Sequence, residues 1–446
     1  MLTYYPSDSR LANMYRRLSS QHVGIMESQI LMSAKSRFMP HSALCTSSMP
    51  AYHKLLLGES VDMSYHLSGY GVFKEESLIR VLGEGIERYA LLVAPSSYRD
   101  KIEYFSYNDA HKHGEVVPWE YIRVFSDADY AKLKDKTFLR PVDRDTTLGW
   151  LRCPSIFDSN RWIYVPAQLL FIGYRVNADA GEVMFSPGFS KGSASHTDFK
   201  KALKSAIMES VEADALMLSW YAKPSVDRVL VDDYVLSSMM GNLLGNSDYG
   251  VDVLDFSQPD LPGSAFAVSL THEKAARPYV VMGCQASLDP KGGVYRAFME
   301  ALAILYLANN GALVMPQDYL ETTCAKDFLN LDSNVAWWAD PTDAKLKADA
   351  LASMVKGERS LGSFPNQAAA DDDGDLRIML QKLSKVSSYG VYLDITPPEI
   401  AKDGWRVART FFPELVQMSF PGVPYSDHPR IKEHGGVRNE LPHPLP

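Results

Sequence analysis

A chain of 446 residues that is 46% hydrophobic and 22% charged can bury a large core, and two or three subdomains are expected at this length. Its net charge of −9 excludes a general nucleic-acid binder, which draws affinity from clustered lysine and arginine, so any phosphate ligand needs local positive charge. Cys45, Cys153, Cys284 and Cys324 stand far apart, the start lacks an apolar signal core, and no apolar run reaches about 18 residues. Disulfide framework, zinc site and membrane span are therefore all unexpected, and a reduced cytoplasm is the expected home.

Residues 1–64 read as a mixed preface. The stretch SGYG (68–71) reads as a glycine-rich turn that opens a helix in EESLIRVLGEGIERYALLVA (75–94). Leu78, Leu82, Ile86, Tyr89 and Val93 recur there at helical spacing as the buried face. Arg80, Glu84, Glu87 and Arg88 fall together on the opposite side; taken alone, such a charged face is more often solvated than functional. Residues 100–185 alternate aromatic and β-branched runs with turn residues and read as strands.

A second glycine-rich stretch, SPGFSKGSAS (186–195), precedes a helix in AIMESVEADALMLSWYA (206–222). Glu209 and Glu212 share a side with Ala213, Leu216 and Trp220, while Asp214 falls beside Ile207, Val211 and Leu218. No rotation exposes every carboxylate and buries every large apolar group, so a cation is expected against this helix. YVVMGCQASL (279–288) reads as a strand. DPKGG then leads into a helix at 294–308, whose only charges, Arg296 and Glu300, are spaced for a salt bridge or for an aimed phosphate clamp.

The acidic stretch GSFPNQAAADDDGD (362–375) is expected to be mobile, and the proline- and glycine-rich residues after FFPEL are expected to wrap the surface without building core. The chain stops on NELPHPLP (439–446). Pro442, Pro444 and Pro446 make a stiff, extended strut suited to delivering a carboxylate to a defined place; a frayed end or a ligand for a proline-binding module are the alternatives.

Two of the helices echo each other: E-G-I-E-R-Y-A-L (84–91) and E-S-V-E-A-D-A-L (209–216) share E-x-[IV]-E-x-x-A-L, and each follows a glycine-rich stretch. Glutamates at i,i+3 project from one helix face, so two such pairs brought together place Glu84, Glu87, Glu209 and Glu212 around one space. Hard oxygen ligands of this kind suit Mg²⁺, which would let an acidic site accept a nucleoside triphosphate. A di-iron bundle would need Glu-x-x-His, and neither position 87 nor 212 is histidine; the G-x-x-x-x-G-K-[ST] phosphate loop is also absent.

The stretches GYGVFKEESLIRVLGEGIERYA, SPGFSKG with MESVEADALMLSWY, VYRAFMEA, YLDITPPEIAKDGWRVARTFFPEL and PHPLP, in that order, resemble the YcaO family from about residue 65 to the end. The terminal proline motif is similar to that of its azoline-forming members, the D proteins that make thiazole- and oxazole-modified peptides, including the streptolysin-S type. The resemblance implies an α+β fold of mixed sheets, with long helices framing an ATP and Mg²⁺ site. It implies a preface at 1–64, a catalytic domain at 65–425 and a tail at 426–446. Carried over residue by residue, it makes Glu84, Glu87, Glu209 and Glu212 the metal-side carboxylates. Glu84, Arg88, Glu209, Arg296 and Glu300 become nucleotide-side residues, with Glu300 orienting Arg296. Pro442, Pro444 and Pro446 are then the tail that enters the reaction site.

Three positions depart from the family pattern: Lys201 replaces a glutamate, Ala213 an arginine and Arg80 a frequent serine. The implied reaction turns Cys, Ser or Thr of a ribosomal precursor peptide into thiazoline or oxazoline by phosphorylating the backbone amide oxygen. A thioamide-forming enzyme and a non-catalytic scaffold subunit are the alternatives. The implied partners are the precursor peptide, a leader-binding protein of the C or E1-like type and, by family habit, an FMN dehydrogenase; homodimerisation stays open.

Overall fold

The computed structural model describes residues 6–19, 24–27, 30–33, 39–50, 52, 54, 66–223, 225–314, 328–329 and 331–445. Its longer helices are α1 (Pro6–Leu18), α2 (Lys74–Tyr98), α3 (Asp127–Leu133), α4 (Phe199–Met217), α5 (Tyr234–Leu244), α6 (Pro290–Val314), α7 (Leu331–Ala339), α8 (Ala344–Ala352) and α9 (Asp372–Leu383). Among the described residues no helix is long and apolar enough to cross a membrane.

Strands β1 (Ile30–Ser33), β2 (Ala43–Ser48) and β3 (His66–Gly71) form an antiparallel sheet in that order. The glycines at 69 and 71 therefore lie in a strand, which corrects the expected turn. A Cβ at Gly69 would stand 2.1 Å from the Ser77 carbonyl oxygen and 2.3 Å from the Val81 nitrogen, so glycine lets β3 press directly on α2. Of the five apolar positions expected to be buried on α2, Leu82 and Ile86 are fully covered, while Leu78, Tyr89 and Val93 are partly so. The face is broader than one stripe because α2 packs on β2 and β3 and also on a strand from another sheet, β8 (Ser193–His196).

The expected strands between residues 100 and 185 are present as β4 (Ile102–Ser106), β5 (Glu115–Val116), β6 (Thr147–Pro154) and β7 (Trp162–Pro166), in the order β4-β6-β7-β5. Strand β8 pairs with β15 (Arg406–Phe411), which pairs with β14 (Val391–Asp394). Helix α4 lies on β8 and β15 and begins seven residues before the expected start at 206. Asp198 caps it by accepting the Lys200 and Lys201 N–H groups, and Ala202 and Ala206 tuck under the sheet.

The largest sheet runs β12-β11-β10-β9-β13, from β9 (Val226–Leu230), β10 (Tyr249–Asp255), β11 (Ser264–His272), β12 (Val280–Ser287) and β13 (Val355–Ser360). Helix α6 packs along β11 and β12.

Two expectations for the C-terminal third do not hold. The acidic stretch is pinned: Asp371 caps α9, Lys204 reaches Asp372 at 2.5 Å and Asp375 at 2.9 Å, and Lys200 reaches Asp373 at 2.7 Å. Two lysines on the first turns of α4 thus neutralise what composition alone marks as a repelling run. The residues after 412 also build core, since Leu415, Val416, Met418, Val423, Tyr425, Ile431 and Leu445 pack with Trp220 and Trp338. Proline and glycine deny this segment regular structure but leave its large side chains free to be buried.

Candidate active site

Helices α2, α4 and α6 each present charged side chains toward one cleft, and a turn at 186–192 enters between the first two. Glu84, Glu87 and Arg88 come from α2, Glu209 and Glu212 from α4, and Glu300 with Arg296 from α6. Three consecutive residues, the last two of the turn and Ser193 at the start of β8, reach three of these carboxylates. Lys191 Nζ lies 2.5 Å from Glu212 Oε1, the Gly192 N–H donates to Glu209 Oε2 at 3.3 Å, and Ser193 Oγ donates to Glu87 Oε1 at 2.7 Å.

The turn can do this because Gly192 has φ +91°, a conformation that side chains resist, and because a Cβ there would meet Ser210 Oγ and the Thr410 carbonyl, each at 2.8 Å. Arg409 fixes it from below. Its Nη1 donates to the Ser190 carbonyl at 3.1 Å and to the Lys191 carbonyl at 2.6 Å.

The other carboxylates are held by the sheets. Glu84 accepts the Ser68 N–H at 2.7 Å and lies 3.3 Å from Arg88 Nη2. Glu212 also accepts from Gln285 Nε2 at 2.6 Å. Glu300 accepts the Cys284 N–H at 2.8 Å, whereas Arg296 donates to Ser287 Oγ at 3.0 Å and to the Gly292 carbonyl at 3.4 Å. The expected bond between Glu300 and Arg296 is thus not formed, because β12 offers each group a separate backbone or hydroxyl partner. Arg80, the departure from the family pattern, pairs with Glu76 at 2.8 Å and stacks on Tyr70. Lys201 points away from the cleft toward Asp372, 4.0 Å from its carboxylate.

The electrostatics of the cleft are lopsided. Burial pushes Glu87 up to about 7 against the pull of Arg88 and Ser193, and Glu300 up to about 7 against Lys191. Burial, with Glu87 beside it, carries Glu209 well above the ordinary carboxylate value. Lys191 shows the complement: burial opposes its charge, but Glu212, Glu209 and Glu300 hold it well above the usual lysine value. Such a cleft is short of positive charge.

Among the described residues no three His, Cys, Asp or Glu side chains converge closely enough to hold a metal ion as they stand. The four-carboxylate sphere expected from the i,i+3 spacing is therefore not assembled, since each glutamate is engaged by a different N–H, O–H or ammonium group. The donor set still fits Mg²⁺ and a polyphosphate. Hard carboxylate oxygens face Arg88, Arg296 and Lys191, and a divalent ion would supply the missing charge.

The tail calls separate. Pro442 and Pro444 are buried, and the Pro442 carbonyl accepts Trp338 Nε1 at 2.8 Å. Trp220, in the helical turn Leu218–Ala222 that follows α4, donates to the Leu441 carbonyl at 2.8 Å, so the tail is gripped just beyond the C-terminal end of α4. Pro446 lies outside the described residues. Lys191, Ser193, Gln285 and Arg409 are not among the residues expected from the sequence, although Lys191 lies within SPGFSKG. A lysine inside a glycine-rich motif and an arginine in an apolar strand were the available signals.

Residues 68–416 match the model of the YcaO family, described as YcaO cyclodehydratases that bind ATP and Mg²⁺, and the chain belongs to that family. No curated protein matches the chain. Among solved structures it is similar to a heterocyclase in complex with substrate and cofactor, at 18% identity and TM-score 0.70. That match covers 98% of this chain and 55% of the heterocyclase, so the chain spans little more than half of that relative. It is also similar to YcaO from Methanopyrus kandleri bound with AMPPCP and Mg²⁺, at 15% identity and TM-score 0.61, covering 98% and 96% of the two chains. A third likeness is to the E. coli microcin synthetase McbBCD complex, at 13% identity and TM-score 0.63, covering 96% and 99%. At these identities the likenesses establish the fold, which is the mixed-sheet, long-helix architecture expected from the sequence.

Proposed function

We propose that this chain is an ATP- and Mg²⁺-dependent cyclodehydratase that closes Cys, Ser or Thr of a ribosomal precursor peptide onto the preceding backbone amide, giving thiazoline or oxazoline. The observation that carries the reading is the cleft itself, where two echoing E-x-[IV]-E helices and α6 gather five glutamates around Arg88, Arg296 and Lys191. When bound, ATP supplies the phosphoryl group that makes the amide oxygen a leaving group, and Mg²⁺ balances its charge.

In this reading Glu84, Glu87, Glu209 and Glu212 would hold the metal, and Arg88 and Arg296 would steady phosphate, with Arg296 aimed by Ser287 and Gly292 instead of by Glu300. Glu300, tied to the Cys284 N–H, keeps a carboxylate in the wall of the same cleft. The tail, clamped by Trp220, Trp338 and Asn334, would bring its proline-rich end, with Pro442, Pro444 and Pro446, to the reacting amide. A leader-binding protein of the C or E1-like type presents the peptide, in keeping with the microcin synthetase complex solved with pro-MccB17 bound. An FMN dehydrogenase acting afterwards would oxidise the ring, and a reduced cytoplasm is the compartment this chemistry suits.

The test is Mg²⁺-dependent binding of ATP by the purified chain beside Glu84→Gln and Glu212→Gln, followed by the mass of a precursor peptide incubated with the chain and its partner. Binding lost in both variants and one water lost per ring support the reading. Exchange of oxygen for sulfur would make it a thioamide-forming enzyme, and an unchanged peptide with no nucleotide bound would make it a scaffold.

A further inference from the structure

The two echoing helices are not electrically equal. On α2 the second glutamate, Glu87, is followed by Arg88, whose guanidinium stands 3.3 Å from Glu84. On α4 the second glutamate, Glu212, is followed by Ala213, which is fully buried, so this half of the cleft receives two carboxylates and no cation from its own helix. Lys191 stands in that gap. Its Nζ is 2.5 Å from Glu212 Oε1, and Glu209 and Glu300 are near enough to strengthen its charge.

An exposed lysine on a mobile loop would make this an ordinary surface pair of little weight. Here the carboxylate partner is only 4% exposed, and the turn is braced at the residues on either side. Arg409 holds the Ser190 and Lys191 carbonyls, and Gly192 admits no side chain.

We infer that Lys191 is the phosphate-side cation of the second helix. It supplies from the glycine-rich turn the positive charge that the first helix carries at Arg88, and so makes up for the alanine at 213. The inference rests on the nucleotide-binding reading of this cleft. A flexible ammonium on a rigid turn can leave Glu212 for a phosphate oxygen while staying within reach of it, which frees that carboxylate for a divalent ion.

The test uses the full chain, Mg²⁺ and β,γ-methylene-ATP as the probe, with dissociation constants from calorimetry and melting curves recorded without nucleotide. Lys191→Met is expected to melt cooperatively and to weaken binding about tenfold or more, and Lys191→Arg, which keeps the charge, to stay within about threefold of wild type. The inference is overturned if Lys191→Met binds like wild type, or if Lys191→Arg, melting cooperatively, binds as weakly as Lys191→Met, which would make the side chain a packing element. Should the wild-type chain itself fail to bind the analogue, the nucleotide reading of the cleft falls, and the role of Lys191 with it. A variant that does not melt cooperatively is replaced by Lys191→Gln and judged by the same two criteria.

Discussion

Glu87 and Glu209 approach from different helices, one held by a serine hydroxyl and the other by a backbone N–H, and neither partner carries charge. Burial raises both above the usual value of 4.5, Glu87 to about 7. A folded state that keeps protons the unfolded chain has released loses stability as pH rises from the unfolded value through about 7, and is at its most favourable below that window. The melting temperature of the chain alone is therefore expected to fall between pH 5 and pH 8 by more than that of a Glu87→Gln variant, measured by calorimetry in one buffer series. Added Mg²⁺ should act in the opposite sense, stabilising more at pH 8 than at pH 6, because the deprotonated carboxylates are the ligands. A decline unchanged by Glu87→Gln would show that other groups govern it.

At the scale of elements, the turn before β8 ties the two glutamate helices together, and its shape depends on one residue. Gly192 combines a positive φ with a site where a Cβ would stand 2.8 Å from both Ser210 Oγ and the Thr410 carbonyl, whereas Gly181 has φ +80° with nothing within 4 Å of its Cβ position. Gly192→Ala thus faces conformational strain and a backbone clash and should cost about 3 kcal/mol, while Gly181→Ala should cost roughly 1 kcal/mol. Denaturant titration of both variants checks the difference. Because Lys191 and Ser193 flank the glycine, Gly192→Ala should also weaken Mg²⁺-nucleotide binding, which Gly181→Ala should leave alone. Equal costs would mean that the turn relaxes freely.

Across the whole molecule, the last residues close the core. Asp214, fully buried on α4, is paired with Arg430 at 2.8 Å, and Arg430 also pairs with Asp260 at 2.7 Å, so the C-terminal segment supplies the cation that the apolar side of α4 requires. Farther along, Asn334 Nδ2 donates to the His443 and Leu445 carbonyls, at 2.5 and 2.6 Å. Removing Leu445 and Pro446 leaves the Trp220, Trp338 and Arg430 clamps in place. That trimmed chain is expected to bind Mg²⁺-nucleotide as the full chain does, to lose only modest stability from the missing Leu445 contact, and to form no rings by peptide mass. Normal ring formation by the trimmed chain would make the tail a structural strap.

The amphipathic mismatch on α4 and the echo between 84–91 and 209–216 were legible in the amino-acid order, because helical spacing alone decides which side chains share a face. The strands between 100 and 185 and the need for cations against α4 followed from the same local rules. Which cation answers which carboxylate did not. Lys191 lies 21 residues from Glu212 and Arg430 lies 216 from Asp214, and only packing of the sheets brings them together. The turn expected at 68–71 became a strand, and the acidic loop at 362–375 was pinned by lysines, for the same reason. Periodicity determines what one element wants to bury, and tertiary structure decides which partner satisfies it, because charges and backbone groups are neutralised by neighbours in space and not in sequence.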